Sequence, residues 1–106
     1  MPRVFHAFVL KVEGRIWRLS AGHWPYPAGN AAAVAECTRW VRRWLRGRRP
    51  AVHVGDLNQH ASPIPARRST GQGVDRAILA RCTGVSRPVA DMHGSDHHPA
   101  SIRVSA

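Results

Sequence analysis

Only one stretch of this 106-residue chain repeats its apolar residues at helical spacing, and that single helix constrains the fold most. Asn30 offers an N-cap, and Val34, Cys37, Val41, Trp44 and Leu45 follow at intervals of three and four. Gly47 stands where a C-cap belongs, and Pro50 blocks continuation. The spacing predicts a helix over residues 31–46. Arg39, Arg42, Arg43 and Arg46 fall on or beside its opposite side, which reads as a solvated face.

The flanking segments are short and strand-like. Residues 4–12 (VFHAFVLKV) are nearly all apolar, the mark of a strand buried on both faces. Glu13-Gly14 turns the chain, and residues 15–21 run back to complete a hairpin. The segment His23-Trp24-Pro25-Tyr26-Pro27 cannot extend a central strand, because proline removes ladder donors. Residues 51–54 form a short apolar strand, and residues 59–73 read as loop from their prolines and glycines. Residues 74–82, 87–92 and 100–104 read as three more strands. The expected fold class is α/β (α+β), a mainly antiparallel sheet with one long amphipathic helix packed on it.

The length suits one small domain spanning residues 1–106. With 43% hydrophobic and 21% charged residues, a disordered tail is excluded. No apolar run approaches the roughly 20 residues of a membrane helix. The N-terminus lacks a signal core, so a soluble, cytoplasmic protein is expected. Cys37 and Cys82 are too few for a disulfide framework and lack metal-site spacing, so both read as buried apolar residues. Sixteen basic residues oppose six acidic ones, and the net charge of +10 favours anionic partners.

Chemistry concentrates in two clusters. The first is Gly55-Asp56-Leu57-Asn58, directly after the strand at 51–54. Its glycine permits a tight turn, its aspartate supplies charge, and its asparagine both donates and accepts. An ordinary Asx turn uses the same residue types. The second is Ser95-Asp96-His97-His98-Pro99, just before the last strand. Asp96 and His97 are neighbours that an extended chain points to opposite sides. An orienting carboxylate for His97 therefore comes from elsewhere, and Asp75 at the start of a strand is a candidate. A histidine so held is an acid or base near neutral pH, or a donor to phosphate. Carboxylates beside backbone-rich turns suit a hard cation such as Mg²⁺.

In their order and spacing, both clusters resemble the C-terminal half of the endonuclease/exonuclease/phosphatase superfamily, metal-dependent phosphoesterases with a deoxyribonuclease-I-like fold. Leu19-Ser20-Ala21-Gly22-His23 looks like the strand ending in that family's active-site histidine. Val52-His53-Val54-Gly55-Asp56-Leu57-Asn58 is similar to its Gly-Asp-Phe-Asn signature, with leucine for phenylalanine. Val74-Asp75-Arg76-Ala77-Ile78-Leu79 resembles its Ile-Asp-Tyr-Ile strand, and Gly94 through Pro99 resemble its Ser-Asp-His-x-Pro signature. The resemblance covers nearly the whole chain and implies half of a four-layer α/β sandwich.

It also implies roles. His97 would act at the scissile phosphate with Asp75 as its partner, and Asp56 would orient or deprotonate the attacking water. Asn58 would hold phosphate or metal, and His23 would contact the phosphate. Asp96, Asp56 and Asn58 would lie at a Mg²⁺ (or Mn²⁺) site. Family members are about twice as long, and their N-terminal half supplies a metal-binding glutamate that neither Glu13 nor Glu36 matches. A truncated or split domain is therefore expected, inactive or weak alone and open to self-association or pairing with a missing half.

Arg67 and Arg68, in the loop after the Gly-Asp-Leu-Asn turn, are the expected substrate-side cations, and Trp24 beside His23 is a stacking candidate. Trp17, Trp40 and Trp44 are assigned to packing. The expected substrate is a phosphate compound, nucleic acid among the candidates. The alternative from another class is a non-catalytic remnant, or a basic module that binds nucleic acid or protein.

Overall fold

A computed structural model describes residues 5–89 and 100–106 of the chain. Strands β1 (Phe5–Val12) and β2 (Arg15–Gly22) form the expected hairpin, and helix α1 (Ala31–Trp44) follows. Strands β3 (Ala51–Asp56), β4 (Arg68–Gln72), β5 (Asp75–Ala80), β6 (Thr83–Pro88) and β7 (Ala100–Ser105) complete the chain. The fold is α+β, with mostly antiparallel strands and one helix packed on a sheet.

A five-stranded sheet in the order β1-β2-β3-β5-β4 is the central layer. Only β2 and β3 run parallel, because the helix carries the chain from the end of one to the start of the other. Alternation along β3 and β5 divides the interior. Ala51, Ile78 and Ala80 join Cys37, Val41 and Leu45 beneath α1. Val52, Ala77 and Leu79 form a second core with Trp17, under Ile102 and Val104 of the β6–β7 ribbon. The sheet is thus covered by a helix on one side and a two-stranded ribbon on the other.

Several expectations need correction. The apolar run of β1 is exposed along nearly its whole length, Phe8, Val9, Leu10 and Val12 included. It lies at the sheet edge, with β2 as its only neighbour in the sheet. Residues 59–73 are not all loop: β4 lies within them and pairs with β5 from Arg68↔Leu79 to Gln72↔Asp75. The strand expected at 87–92 instead runs from Thr83 to Pro88, and residues 90–92 lie outside the described residues. Arg81 adopts a left-handed conformation (φ 57°) and turns the chain straight from β5 into β6. Asn30 does not cap the helix through its side chain, whose amide donates back to the Tyr26 and Ala28 carbonyls. The helix also closes earlier than expected, with Leu45 rather than Gly47 at its C-cap.

Arginines take over that end. Arg18 donates to the Arg46 carbonyl (3.2 Å) and places its guanidinium 4.0 Å from the centre of the Trp44 ring. Arg81 donates to the carbonyls of Leu45 and Arg49. Cations at a helix C-terminus complement its unpaired carbonyls and its dipole.

The topology gathers charge. Arg15 and Arg18 at the start of β2, Arg48 and Arg49 before β3, and Arg81 after β5 share one end of the sheet. Arg42, Arg43 and Arg46 at the helix terminus reach the same end, as do Arg67 and Arg68 where β4 begins. That is ten of the fourteen arginines in the described residues. Of the described carboxylates, only Glu13 stands there; Asp56 and Asp75 lie at the opposite end. The crowding registers in Arg81, whose pKa is lowered by burial first, then by Arg67 and Arg18, with Cys82 opposing.

Candidate functional site

The sheet end opposite the arginines carries the polar cluster. Strands β2 and β3 finish there side by side, and continuing the register Ala21↔Val54 by two residues brings His23 level with Asp56 across the parallel pair. The approach is close: a Cβ on Gly55, which has φ +153°, would run into the carbonyl oxygen of Gly22. Glycine is required there for backbone contact as well as conformation.

Beyond it the chain alternates between core and surface. Leu57 is fully buried and its N–H donates to the Val74 carbonyl (2.8 Å), while Asp56 and Asn58 are left at the rim. Leu57 thus serves as the anchor of the turn. Asn58 is left-handed (φ 52°), and its backbone N–H donates to Asp56 Oδ1 (2.8 Å). That is an Asx turn, and it fixes one oxygen of the carboxylate.

The other oxygen, Oδ2, lies 3.4 Å from His23 Nε2. The Asn58 side-chain amide donates to the Trp24 carbonyl (2.6 Å) and lies 3.5 Å from His23 Nε2. The Trp24 N–H in turn donates to the Asp56 carbonyl (2.9 Å). The His23 side chain is 66% exposed and that of Asp56 only 18%. An accessible imidazole therefore rests on a largely covered carboxylate held by the backbone. Such a pair offers an oxyanion a donor and offers water an acceptor.

Asp75 is brought to the same place. It stands directly opposite Asp56 in the antiparallel β3–β5 pair, so both side chains leave the sheet on the ribbon side. Facing carboxylates repel unless a proton or cation lies close by. Strand β6 passes over Thr70 and Gly71 towards this end, where Thr70 Oγ1 donates to Ser86 Oγ (3.0 Å). Val89 and Ala100, which flank the segment carrying Asp96 and His97, accordingly mark the Asp75 end of the molecule. Asp96 and His97 themselves lie outside the described residues.

The three residues expected to bind substrate are placed elsewhere. Arg68 is paired with Leu79, four residues along β5 from Asp75 and so about 13 Å away. Arg67 neighbours it, within the electrostatic reach of Arg81. Trp24 is completely buried, tilted against Phe5 with its ring centre 6.1 Å away, and has no face for a substrate. Its expected stacking role is corrected to a core role. Trp40 stacks on Trp44 and Trp17 is buried, as assigned.

Sequence reasoning passed over His53. It sits mid-strand in β3, fully buried beneath the helix. Its Nε2 accepts from Trp24 Nε1 (2.9 Å), and its Nδ1 meets Ser20 Oγ at 2.8 Å. Because the indole only donates, the ring proton belongs on Nδ1, which donates to the serine. Burial pushes the imidazole down to about 4 from its ordinary 6.5. A lone polar residue in the run Ala51-Val52-His53-Val54 was its only sequence signal.

No group of three or more metal-ligating side chains assembles among the described residues. Both oxygens of Asp56 already face nitrogen atoms, so the described residues alone do not make up a cation site. No helix among them is long and apolar enough to cross a membrane. No family model matches this chain, and neither the curated proteins nor the solved structures include a match to it.

Proposed function

We propose that the His23–Asp56–Asn58 pole is a phosphoester site of the endonuclease/exonuclease/phosphatase type, hydrolysing phosphodiester or phosphomonoester bonds. The observation that carries this reading is the convergence of His23 and Asn58 on Asp56 from two strand ends, with Asp75 directly across the sheet. The ordered motifs support it independently. In this reading His23 meets a phosphate oxygen, and Asn58 holds the rim through its amide. Asp56 orients water and accepts its proton as the water oxygen bonds to phosphorus and the ester P–O bond breaks, the leaving oxygen taking a proton from solvent. Asp96 and His97 belong to the proposal by sequence, as does Mg²⁺ or Mn²⁺. A bound cation of this kind neutralises charge developing on phosphoryl oxygens.

The experiment is plasmid nicking and bis(p-nitrophenyl) phosphate hydrolysis with and without Mg²⁺. Wild type is compared with Asp56→Asn and His97→Ala, alongside NMR titration with inorganic phosphate. The expected result is phosphate-induced shifts at His23 and Asn58, and Mg²⁺-dependent cleavage that each substitution lowers about 100-fold or more. Cleavage unchanged in both variants overturns the assignment, as does wild type with neither cleavage nor shifts. The alternative, a non-catalytic binding module, draws its support from the opposite pole.

A further inference from the structure

We propose that the arginine pole, at the far end of the sheet from His23 and Asp56, binds the phosphate backbone of double-stranded nucleic acid. This inference does not depend on the phosphoester reading, because it concerns other residues at another end of the molecule.

The first argument is segregation. Ten arginines share that end with a single described carboxylate, Glu13, and none of them forms an ion pair with a described carboxylate. Arg18 and Arg81 are engaged with main-chain carbonyls at the helix C-cap and just beyond it. Of the other eight, Arg15, Arg42, Arg43, Arg46, Arg48, Arg49 and Arg68 are exposed, a concentration that raises the energy of the folded chain by self-repulsion unless an anion meets it.

The second argument is shape. Arg15, Arg48 and Arg49, with Glu13 as the one carboxylate among them, line an open cleft of about 560 Å³ between the β1–β2 turn and the segment entering β3. It has room for a phosphodiester unit. From β2 across to β4 the sheet end spans about 14 Å, and the helix layer adds roughly 10 Å. Duplex DNA presents one charge per ~1.7 Å of axis, so this width faces several phosphates at once.

The third argument is the type of cation. Guanidinium forks match phosphate oxygens in pairs, which the point charge of lysine does not do. Single strands call for exposed aromatic platforms. Here Trp44 is covered by Arg18 and stacked on Trp40, and Trp40, although 36% exposed, is held between Phe5 and Trp44 one turn back along the helix, so the pole offers charge with little stacking surface.

The test uses the full chain in EDTA, with fluorescence anisotropy of a labelled DNA duplex over a salt series. Parallel arms contain a single strand of equal length and phosphatidylserine vesicles. Wild type is compared with Arg42→Gln/Arg43→Gln/Arg48→Gln/Arg49→Gln, and with a control lacking two ribbon arginines, Arg87→Gln/Arg103→Gln. At 0.1 M salt the fourfold variant is expected to bind duplex at least ~50-fold more weakly, the value for two lost phosphate contacts. Its salt slope falls by about 2 or more. The ribbon variant stays within about threefold, and thermal melting confirms that all three chains are folded. Losses that are the same per arginine removed in the two variants overturn the proposal, since net charge alone would then explain binding. So does tighter binding to vesicles or single strand than to duplex, or no salt-dependent binding by wild type.

Discussion

His23 and His53 both attach to Trp24, one as its chain neighbour and one as the acceptor of its indole proton, yet their surroundings are opposite. His53 is sealed between helix and sheet, with a fixed tautomer and both ring nitrogens engaged by protein. His23 is open to solvent, with a carboxylate and an amide within 3.5 Å of the same nitrogen. The difference is one of cost. A buried polar ring must have every partner supplied by the fold, whereas an exposed one leaves positions for water or ligand. His53 is therefore built to hold the fold, and His23 is placed to meet something else.

Removing each ring is the strongest way to break this contrast. His53→Ala leaves a cavity under α1 and strips the partner from the Trp24 indole and the Ser20 hydroxyl. A loss of about 4 kcal/mol is expected in urea unfolding. His23→Ala removes an exposed ring and is expected to cost under about 0.5 kcal/mol. Comparable losses would mean that the two histidines have been assigned the wrong environments.

Proton linkage gives the next effect. In the folded chain His53 titrates near 4, against 6.5 for an unrestrained imidazole, so between these values the unfolded state binds more protons. Stability is then complete above pH 6.5 and falls as the pH drops towards 4, by about 3 kcal/mol in all. Unfolding free energies measured across this window should follow that slope in wild type and in His23→Ala. A flat profile would show that His53 already carries its proton when folded.

The same contrast explains what was legible in advance. The hairpin, the helix and β3 announce themselves through local apolar period and through Gly-Asp and proline punctuation. Asp56 and Asn58 stand out because turn chemistry is short-range. Position within the sheet is not short-range. The apolar residues of β1 read as doubly buried, and only the order β1-β2-β3-β5-β4 makes that strand an edge. Strand β4, Arg-Ser-Thr-Gly-Gln, has no apolar residue to betray it and is held by its ladder to β5 and hydroxyl contacts to β6. Trp24, beside two prolines, fitted substrate stacking as well as packing, and its partner His53 lies 29 residues away, beyond the reach of any local pattern.

The smallest effect asks whether the open and the sealed clusters are energetically separate. Asn58 joins them physically, since its amide donates to the Trp24 carbonyl while its backbone N–H donates to Asp56. Asn58→Ala removes the first bond and places a Cβ-bearing residue without asparagine's tolerance at φ 52°, so about 1.5 kcal/mol should be lost. Asn58→Gly restores the backbone freedom but not the hydrogen bond, and about 1 kcal/mol is expected. Neither change should alter the slope of stability between pH 6.5 and 4, because the burial that keeps His53 neutral is untouched. If the slope flattens in Asn58→Gly, the Trp24 main chain transmits the loss to the buried imidazole, and the two histidines form one cluster rather than two.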